Sequence, residues 1–417
     1  MSFLRAVSRV ILGVVFILSG FFKAIDPIGG GLKIKEYLAA FHLDFFDFLS
    51  IPGATLLAAV EFIIGVSILK GLRVRFFAVT VFWFMAFFTL LTLVLALFNP
   101  VKDCGCFGDA VHLTNWQTFF KNIVLMGAAV IIYIQRKNFE PIAGKIVERF
   151  YIAIYSAVIL VISLYAIVKM PQIDLGDYKP GTDLIEYQTG AEQQYSTIFI
   201  YSKDGQEKEF TINNLPDSTW NFVDSKTTLV SEAAPTHPVD FSLKDAEGEY
   251  ITRQILELEK PVFILSFYRV ASVSDRTIEK LKRLCDTLNA NHAVFYIMSG
   301  NSVEQTEKAF AGLNASLVYT DYKTVLSFNR SNGGLTYLYE GDVIAKWASG
   351  NYPYTFLRSK VLSRDPEIIM ANSIIGDQLF AEICLVLIFF MIVILRFLSK
   401  FLYKKYLSKL EALENIN

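Results

Sequence analysis

The run FFAVTVFWFMAFFTLLTLVLALF, from Phe76 to Phe98, contains no charged residue and decides what kind of protein this chain is. A hydrocarbon core about 30 Å thick is crossed by about 20 apolar residues in helical form. We therefore predict a membrane-spanning helix over this run. The composition of the whole chain of 417 residues agrees, because 53% of it is hydrophobic and only 19% is charged. Soluble chains usually carry more charge.

Five further apolar runs complete a predicted topology of six spans. They extend over Ala6–Ala24, Ala54–Leu69, Trp116–Ile134, Tyr151–Val168 and Leu379–Leu395. The first run differs from a signal peptide because it has no small-residue cleavage site and is followed by Lys23 and the pair Asp26-Pro27. The predicted fold class is therefore a polytopic α-helical membrane protein, with a four-helix bundle formed by its first four spans.

Lysine and arginine residues set the predicted orientation, because short cytoplasmic loops are enriched in them. Four basic segments fall on one side of the six-span topology: Arg5 and Arg9, the turn Lys70–Arg75, the loop from Arg136 to Arg149, and the tail from Arg396 to Lys409. We predict that this side is cytoplasmic and holds both termini. The opposite side then receives the segment 26–53, the cysteine loop Asp103–Asp109 and the polar region 171–376.

The polar region is predicted to form two units. The predicted domains of the chain are a membrane bundle at 1–138, a loop and fifth span at 139–170, a small β unit at 171–236, an α/β domain at 237–372, and a sixth span with a basic tail at 373–417. Alternating residues in Ser196–Tyr201 and Lys208–Ile212 indicate a β-hairpin in the small unit. No catalytic constellation is visible there.

The second unit alternates strand and helix patterns, which is typical of a three-layer α/β domain. The predicted elements are a strand and turn at Asp240–Gly248, strands at Pro261–Phe267 and Ala293–Met298, a helix at Thr277–Asn289, and a hairpin that joins Leu335–Tyr339 to Val343–Trp347. Cys285 shares its helical spacing with Leu281 and Leu288, so we predict that it packs in the core of this unit.

The order of these elements resembles a thioredoxin-like domain of the periplasmic, membrane-attached kind. Phe241–Gly248 matches the F-x-L-x-D-x-x-G stretch with which such domains begin. The strand Phe263–Phe267 matches the buried strand that leads to their active-site loop. Thr336, Leu338 and Gly341 match their C-terminal hairpin.

The thiols of that family are missing from this domain. Where the family places Cys-x-x-Cys, this chain has Ala271–Ser274, and where the family places its cis-proline, this chain has Gly334. Disulfide exchange needs a thiolate nucleophile, so the domain is predicted to be inactive by itself. We expect it to bind a partner.

The first four spans resemble the DoxX/MauE group of four-helix membrane proteins over residues 1–138. The matching segments are Ser19–Pro27, Lys35–Tyr37, Glu61–Gly65 and Asp103–Asp109. The full layout is similar to that of DoxX-type proteins of the Bacteroides group, which carry the same kind of C-terminal region. The resemblance implies a cell inner membrane protein with a periplasmic soluble domain. MauE-like relatives are associated with disulfide formation in periplasmic partners.

Cys104 and Cys106 are the sharpest chemical feature of the chain. A C-x-C pair closes a very small ring, so its disulfide is expected to be strained and easily exchanged. One interpretation is a catalytic redox pair on the oxidising side of the membrane. A second is a structural disulfide, or two buried thiols, that pins the loop. A third is a metal site completed by Asp109 or His112, which the single intervening residue disfavours.

Charged residues near the outer ends of the first two spans are predicted to support the cysteine pair. Glu61 lies inside the second span at about the depth of Lys23, and an intramembrane carboxylate faces the bundle interior by default. Glu61 is interpreted either as a proton acceptor or anchor for a quinone-like head group, or as the partner of Lys23 in a structural ion pair. Asp26 ends the first helix, and Asp103 and Asp109 flank the cysteines.

Two functions remain open on these residues. The first is an inner-membrane component of periplasmic thiol–disulfide homeostasis, which exchanges electrons with an envelope protein through its C-x-C loop. The lack of a second cysteine pair weakens that assignment as an enzyme. The second is a non-catalytic accessory subunit or scaffold of an envelope protein-export or folding complex. Quinone is the one cofactor considered, no metal is predicted, and the net charge of −1 argues against a nucleic-acid partner.

Overall fold

The structure, a computed structural model, covers most of the chain. It describes residues 2–101, 103–111, 113–139, 144–171, 173–189, 195–203, 206–211, 220–229, 241–291, 293–354, 357 and 365–380, with scattered positions from 382 to 394. Within these residues it contains 5 helices that are long and apolar enough to cross a membrane. It also contains a separate mixed sheet of five strands.

The membrane portion begins the chain. Its elements are α1 Ser2–Ile25, α2 Pro27–Ala40, α3 Ser50–Lys70, α4 Val74–Phe98, the short strand β1 Cys106–Asp109, α5 Asn115–Ile134 and α6 Lys145–Val168. All these helices except α2 have the length and apolarity of a span, which confirms the first five predicted spans. The predicted sixth span, Leu379–Leu395, and Cys384 within it fall largely outside the described residues, although residues 366–380 form a helix that leads to it.

α1 and α3 approach each other closely because small residues lie in their contact. A Cβ atom at Gly20 of α1 would lie only 2.5 Å from the backbone nitrogen of Phe62 in α3. Glycine is therefore required there at this helix separation. The close approach sets Lys23, one turn further along α1, directly opposite Glu61 of α3.

The predicted cytoplasmic segments meet at one end of the bundle. Arg5 donates a hydrogen bond to the carbonyl oxygen of Asn138 at 3.2 Å, and Arg9 donates to that of Ile68 at 3.0 Å. The N-terminus, the end of α3 and the α5–α6 connection therefore share this end. The cysteine loop and the five-stranded sheet lie at the other end.

A short helix and a small sheet follow the bundle. They are α7 Leu184–Thr189 and the antiparallel strands β2 Tyr195–Lys203, β3 Gln206–Thr211 and β4 Asn221–Leu229, in the spatial order β3-β2-β4. The predicted hairpin corresponds to β2 and β3. β4 was not predicted as a separate strand, because its sequence, NFVDSKTTL, contains few apolar residues and does not alternate.

The five-stranded sheet has the spatial order β7-β6-β5-β8-β9. The domain that contains this sheet, called the sheet domain below, consists of α8 Thr252–Leu256, β5 Val262–Phe267, α9 Asp275–Asn289, β6 Val294–Ser299, α10 Val303–Ala309, β7 Ser316–Tyr319, α11 Tyr322–Phe328, β8 Gly334–Tyr339 and β9 Asp342–Trp347. Strands β5, β6 and β7 are parallel, β8 is antiparallel to β5, and β9 is antiparallel to β8.

Helices cover both faces of this sheet because alternate residues of a strand point to opposite sides. Phe263 and Leu265 of β5 pack in one core with Cys285 of α9, whereas Ile264 packs in a second core with Phe328 of α11. Cys285 is 4% exposed, so its predicted place in the core is confirmed.

The predicted strand at Asp240–Gly248 is wrong for the part of it that the structure describes. Asp240 itself lies outside the described residues. Lys244 forms only isolated bridges with Tyr250 and Tyr319. The chain turns back at Gly248, where φ is +90°, so the segment is too short to continue as a strand.

Candidate functional site

The cysteine loop connects α4 to α5 through a tight turn. Gly105 and Gly108 have φ values of +61° and +60°, which glycine adopts without strain. The Gly108 amide donates to the carbonyl oxygen of Gly105 at 3.0 Å and closes the turn. The turn holds the Sγ atoms of Cys104 and Cys106 3.0 Å apart as free thiols.

Residues of α2 fix the loop from one side. The Tyr37 hydroxyl donates to the carbonyl oxygen of Cys104 at 2.9 Å. Lys33 forms an ion pair with Asp103 at 2.6 Å and a second one with Glu36 at 3.2 Å. Asp103, predicted as a supporting residue, therefore ties the cysteine loop to α2.

The ion pair of Lys23 and Glu61 fixes the loop from the bundle interior. Lys23 Nζ lies 2.7 Å from Glu61 Oε2, and both residues are only 6% exposed. Lys23 also donates to the carbonyl oxygen of Cys106. The Ser19 hydroxyl lies 2.6 Å from that oxygen and 2.8 Å from Glu61 Oε2, so its proton serves one of the two. The pair is thus in direct contact with the backbone of the cysteine loop.

The two thiols differ in acidity. The hydrogen bond from Cys104 lowers the pKa of Cys106 to about 6; burial opposes this shift, and the charges of Lys121 and Lys23 support it. The hydrogen bond to Cys106 and burial raise the pKa of Cys104. A thiolate is the reactive form of cysteine, and these surroundings favour it on Cys106 rather than on Cys104.

Arg330, a residue of the sheet domain, reaches the cysteine end of the bundle. Its Nη2 atom lies 3.0 Å from Asp26 Oδ2 and 2.9 Å from Asp109 Oδ2, and the residue is only 6% exposed. Burial raises the pKa of Asp109 to about 6, while the charge of Arg330 opposes that shift. Asp26 also caps α2, because its Oδ1 accepts a hydrogen bond from the Gly29 amide at 2.9 Å.

Sequence reasoning gave no indication of Arg330. It lies in the polar connection between α11 and β8, where an arginine is unremarkable. The predicted supporting residues Lys23, Glu61, Asp26, Asp103 and Asp109 all lie around the cysteine loop, as the geometry above describes. Their roles in a reaction stay predictions.

The turn Ala271–Ser274 carries no thiol and leads into α9. Residues Val270–Ser272 form a single 3-10 turn, and the Ser274 hydroxyl accepts a hydrogen bond from the Thr277 amide at 3.4 Å. The Arg269 amide donates to Asn332 Oδ1 at 2.9 Å. The connection that carries Arg330 therefore packs against this turn.

A cavity of about 230 Å³ lies behind the cysteine loop, inside the bundle. Cys104, Cys106, Lys23 and Glu61 are among the residues that line it. In the described part of the chain no three His, Cys, Asp or Glu residues are grouped as metal ligands. His112, which the metal interpretation invoked, lies outside the described residues.

Comparison with protein families gave two matches. The family described as "Methylamine utilisation protein MauE" matches residues 1–135, which confirms that part of the predicted resemblance. A family described as "Domain of unknown function (DUF8463)" matches residues 195–232, the region of the small sheet. No curated protein matches the chain. No solved structure matches it either.

Proposed function

We propose that the chain is a multi-pass membrane component of thiol–disulfide exchange, in which Cys104 and Cys106 take electrons from an envelope protein. The observation that carries this proposal is the thiol pair itself, with its Sγ atoms 3.0 Å apart; the lowered pKa of Cys106 supports it. The MauE match over residues 1–135 supports a membrane accessory protein of the redox or electron-transfer type.

The exchange step follows from the difference between the two thiols. In the oxidised loop, a client thiolate attacks the Sγ atom of Cys104 and forms a mixed disulfide, while Cys106 leaves as the thiolate. The thiol with the lower pKa leaves faster, which favours this direction. A second client thiol then displaces Cys104. One client disulfide forms, and the loop becomes a dithiol.

The surrounding charges have supporting roles in this proposal. Lys23 stabilises the departing thiolate of Cys106, and Glu61 keeps Lys23 in place as its ion-pair partner. Asp103 and Asp109 hold the two ends of the loop, on Lys33 and Arg330 respectively. The loop would then keep one geometry in both redox states.

The proposed location is the cell inner membrane, with both termini in the cytoplasm and the cysteine loop in the periplasm. The arginines gathered at the opposite end of the bundle support this orientation. The sheet domain is proposed to be a thioredoxin-like relative that presents the client. Its mixed sheet with helices on both faces, and its position above the cysteine loop, support that role.

Trapping tests the proposal in native membranes. Cys106→Ser cannot form the loop disulfide, so Cys104 can join a client only by attacking the disulfide of an oxidised client, and we expect the resulting mixed disulfide as an adduct on a non-reducing gel that reductant removes. Cys104→Ser should trap less, because Cys106 is not the attacked sulfur. Cys285→Ala is the matched control, since that thiol is buried in the sheet domain, and it should behave as wild type.

A scaffold role is the second candidate. The thiol-free turn and the docking of the sheet domain through Arg330 favour it. If neither loop variant captures a client and both support growth like wild type, the exchange proposal is wrong. A complex that co-purifies unchanged with both variants would then identify an accessory subunit of an export or folding complex.

A further inference from the structure

The cavity behind the cysteine loop has the size of a small ring compound. Its volume is about 230 Å³, and its walls are mainly apolar side chains such as Phe16, Phe84, Phe88 and Leu125. An apolar cavity of about 150 Å³ holds a benzene ring. A six-membered ring with substituents therefore fits.

One end of this cavity is polar and carries the sulfur atoms. Lys23, Glu61 and Ser19 line it together and are hydrogen-bonded to one another. Both Lys23 and Ser19 lie within hydrogen-bond distance of the carbonyl oxygen of Cys106. A ring oxygen at this end would lie beside an ammonium donor and beside the thiol pair.

The cavity reaches the lipid-facing side of the bundle at α4. Phe87 lines the cavity and is also 61% exposed on the helix surface. An exposed phenylalanine in the middle of a spanning helix faces hydrocarbon. A ligand that enters beside Phe87 therefore comes from the membrane, which restricts it to lipid-soluble compounds.

We propose that this cavity binds the head group of a quinone from the bilayer, which reoxidises the cysteine pair. The inference rests on the proposed exchange function and supplies its electron acceptor. The S–H bond of Cys104 breaks and one S–S bond forms between Cys104 and the thiolate of Cys106, whose own proton has already been released. The two electrons pass to the ring, and two protons are added to its two oxygens, which gives the hydroquinone. Lys23 and Glu61 are placed to transfer those protons.

The test uses the reduced full-length protein in lipid nanodiscs and decylubiquinone as the probe. We expect one quinone to be reduced for each pair of loop thiols lost, followed by the ultraviolet band of the quinone and by thiol titration. Leu91→Trp places a large side chain in the cavity and should slow this reaction by about tenfold or more. Leu90→Trp is the matched control, because Leu90 is 64% exposed and does not line the cavity.

A second pair of variants provides the same test if Leu91→Trp does not fold. Val15→Trp also enters the cavity, whereas Val14→Trp points outward from a residue that is 42% exposed. Equal rates for the inward and outward variants of either folded pair would overturn the cavity assignment.

The failure of this inference is distinguishable from failure of the exchange function. A protein that exchanges with a reduced dithiol peptide but does not reduce decylubiquinone overturns only the quinone site. A protein that does not exchange with the peptide overturns the proposed function. Quinone binding to the cavity can still be tested in that case. Decylubiquinone should raise the unfolding temperature of wild type and of Leu90→Trp but not that of Leu91→Trp.

Discussion

The cysteine loop and the turn Ala271–Ser274 differ in what surrounds them, although each leads into a helix. The loop has two thiols, the lysines Lys23 and Lys121 within electrostatic reach, and a cavity behind it. The turn has no thiol; its Ser274 caps α9, and its Ser272 hydroxyl accepts a hydrogen bond from Asn332. This difference supports the proposal that thiol exchange takes place at the membrane bundle, while the sheet domain contributes contacts.

Arg330 joins the two regions. Its neighbour Asn332 holds the turn through Arg269, and its own guanidinium reaches Asp26 and Asp109 at the cysteine loop. The sheet domain is thus fixed above the thiols by a buried, charge-assisted contact.

The largest effect is expected when the buried ion pair is broken on one side only. Lys23→Met leaves Glu61 charged in the bundle interior without its partner, which typically costs about 3–5 kcal/mol. Thermal unfolding in detergent micelles should show this loss. The double variant Lys23→Met with Glu61→Leu should recover most of it. A single variant as stable as the double one would contradict the assigned pair.

Removing Arg330 should release the sheet domain from the bundle. Arg330→Met leaves Asp26 and Asp109 buried without a cation, and truncating one partner of such a pair typically costs about 2–5 kcal/mol of the contact. We expect faster protease cleavage between the bundle and the sheet domain, with both parts still folded.

Lys323 provides the matched control for Arg330. It also joins the sheet domain to the bundle, through Glu36 at 2.5 Å, but its side chain is 61% exposed. An exposed pair is worth only about 0–1 kcal/mol. Protease should therefore cleave Lys323→Met at the wild-type rate. Equal cleavage rates for Arg330→Met and Lys323→Met would show that Arg330 does not hold the sheet domain on the bundle.

The spans and the depth of their charges were predictable because each depends on local sequence. Hydropathy located five helices with ends within about six residues of those observed, and counting from the outer face placed Glu61 at about the depth of Lys23. The strands β5, β6, β8 and β9 were also predictable from buried apolar runs. Each of these features follows from the spacing of apolar residues within one short segment of the chain.

Arg330 was not predictable because its contacts lie 304 and 221 residues away in the sequence. An arginine in a polar loop carries no local signal of burial. The docking of one domain on another depends on the arrangement of both. For the same reason, the sequence indicated two cysteines in a loop but not the cavity behind them.

The acidity of Cys106 gives a smaller, pH-dependent contrast. Alkylation of the reduced loop by N-ethylmaleimide should increase as the pH rises through about 6, where the Cys106 thiolate forms, and level off above it. An unperturbed cysteine has a pKa of about 8.5. In Cys104→Ala the midpoint should move upward, because this variant removes the hydrogen bond from Cys104 that lowers the pKa of Cys106. A midpoint near the ordinary value in wild type would contradict the assigned thiolate.

The smallest effects are expected at the two helix caps, which occur at matched positions in the two regions. Thr114 begins α5 just after the cysteine loop, and its hydroxyl accepts from the Gln117 amide at 3.2 Å; Ser274 begins α9 after the thiol-free turn. Replacing either by alanine should cost about 1 kcal/mol of stability.

The two cap variants should nevertheless differ in thiol exchange. Thr114→Ala loosens the helix start to which the cysteine loop is attached, so exchange with a dithiol peptide should change about two- to fivefold, as expected for an energy of this size. Ser274→Ala should leave that rate unchanged. If Ser274→Ala altered exchange as much as Thr114→Ala, the turn of the sheet domain would have to take part in the chemistry, and the division of roles between the two regions would be wrong.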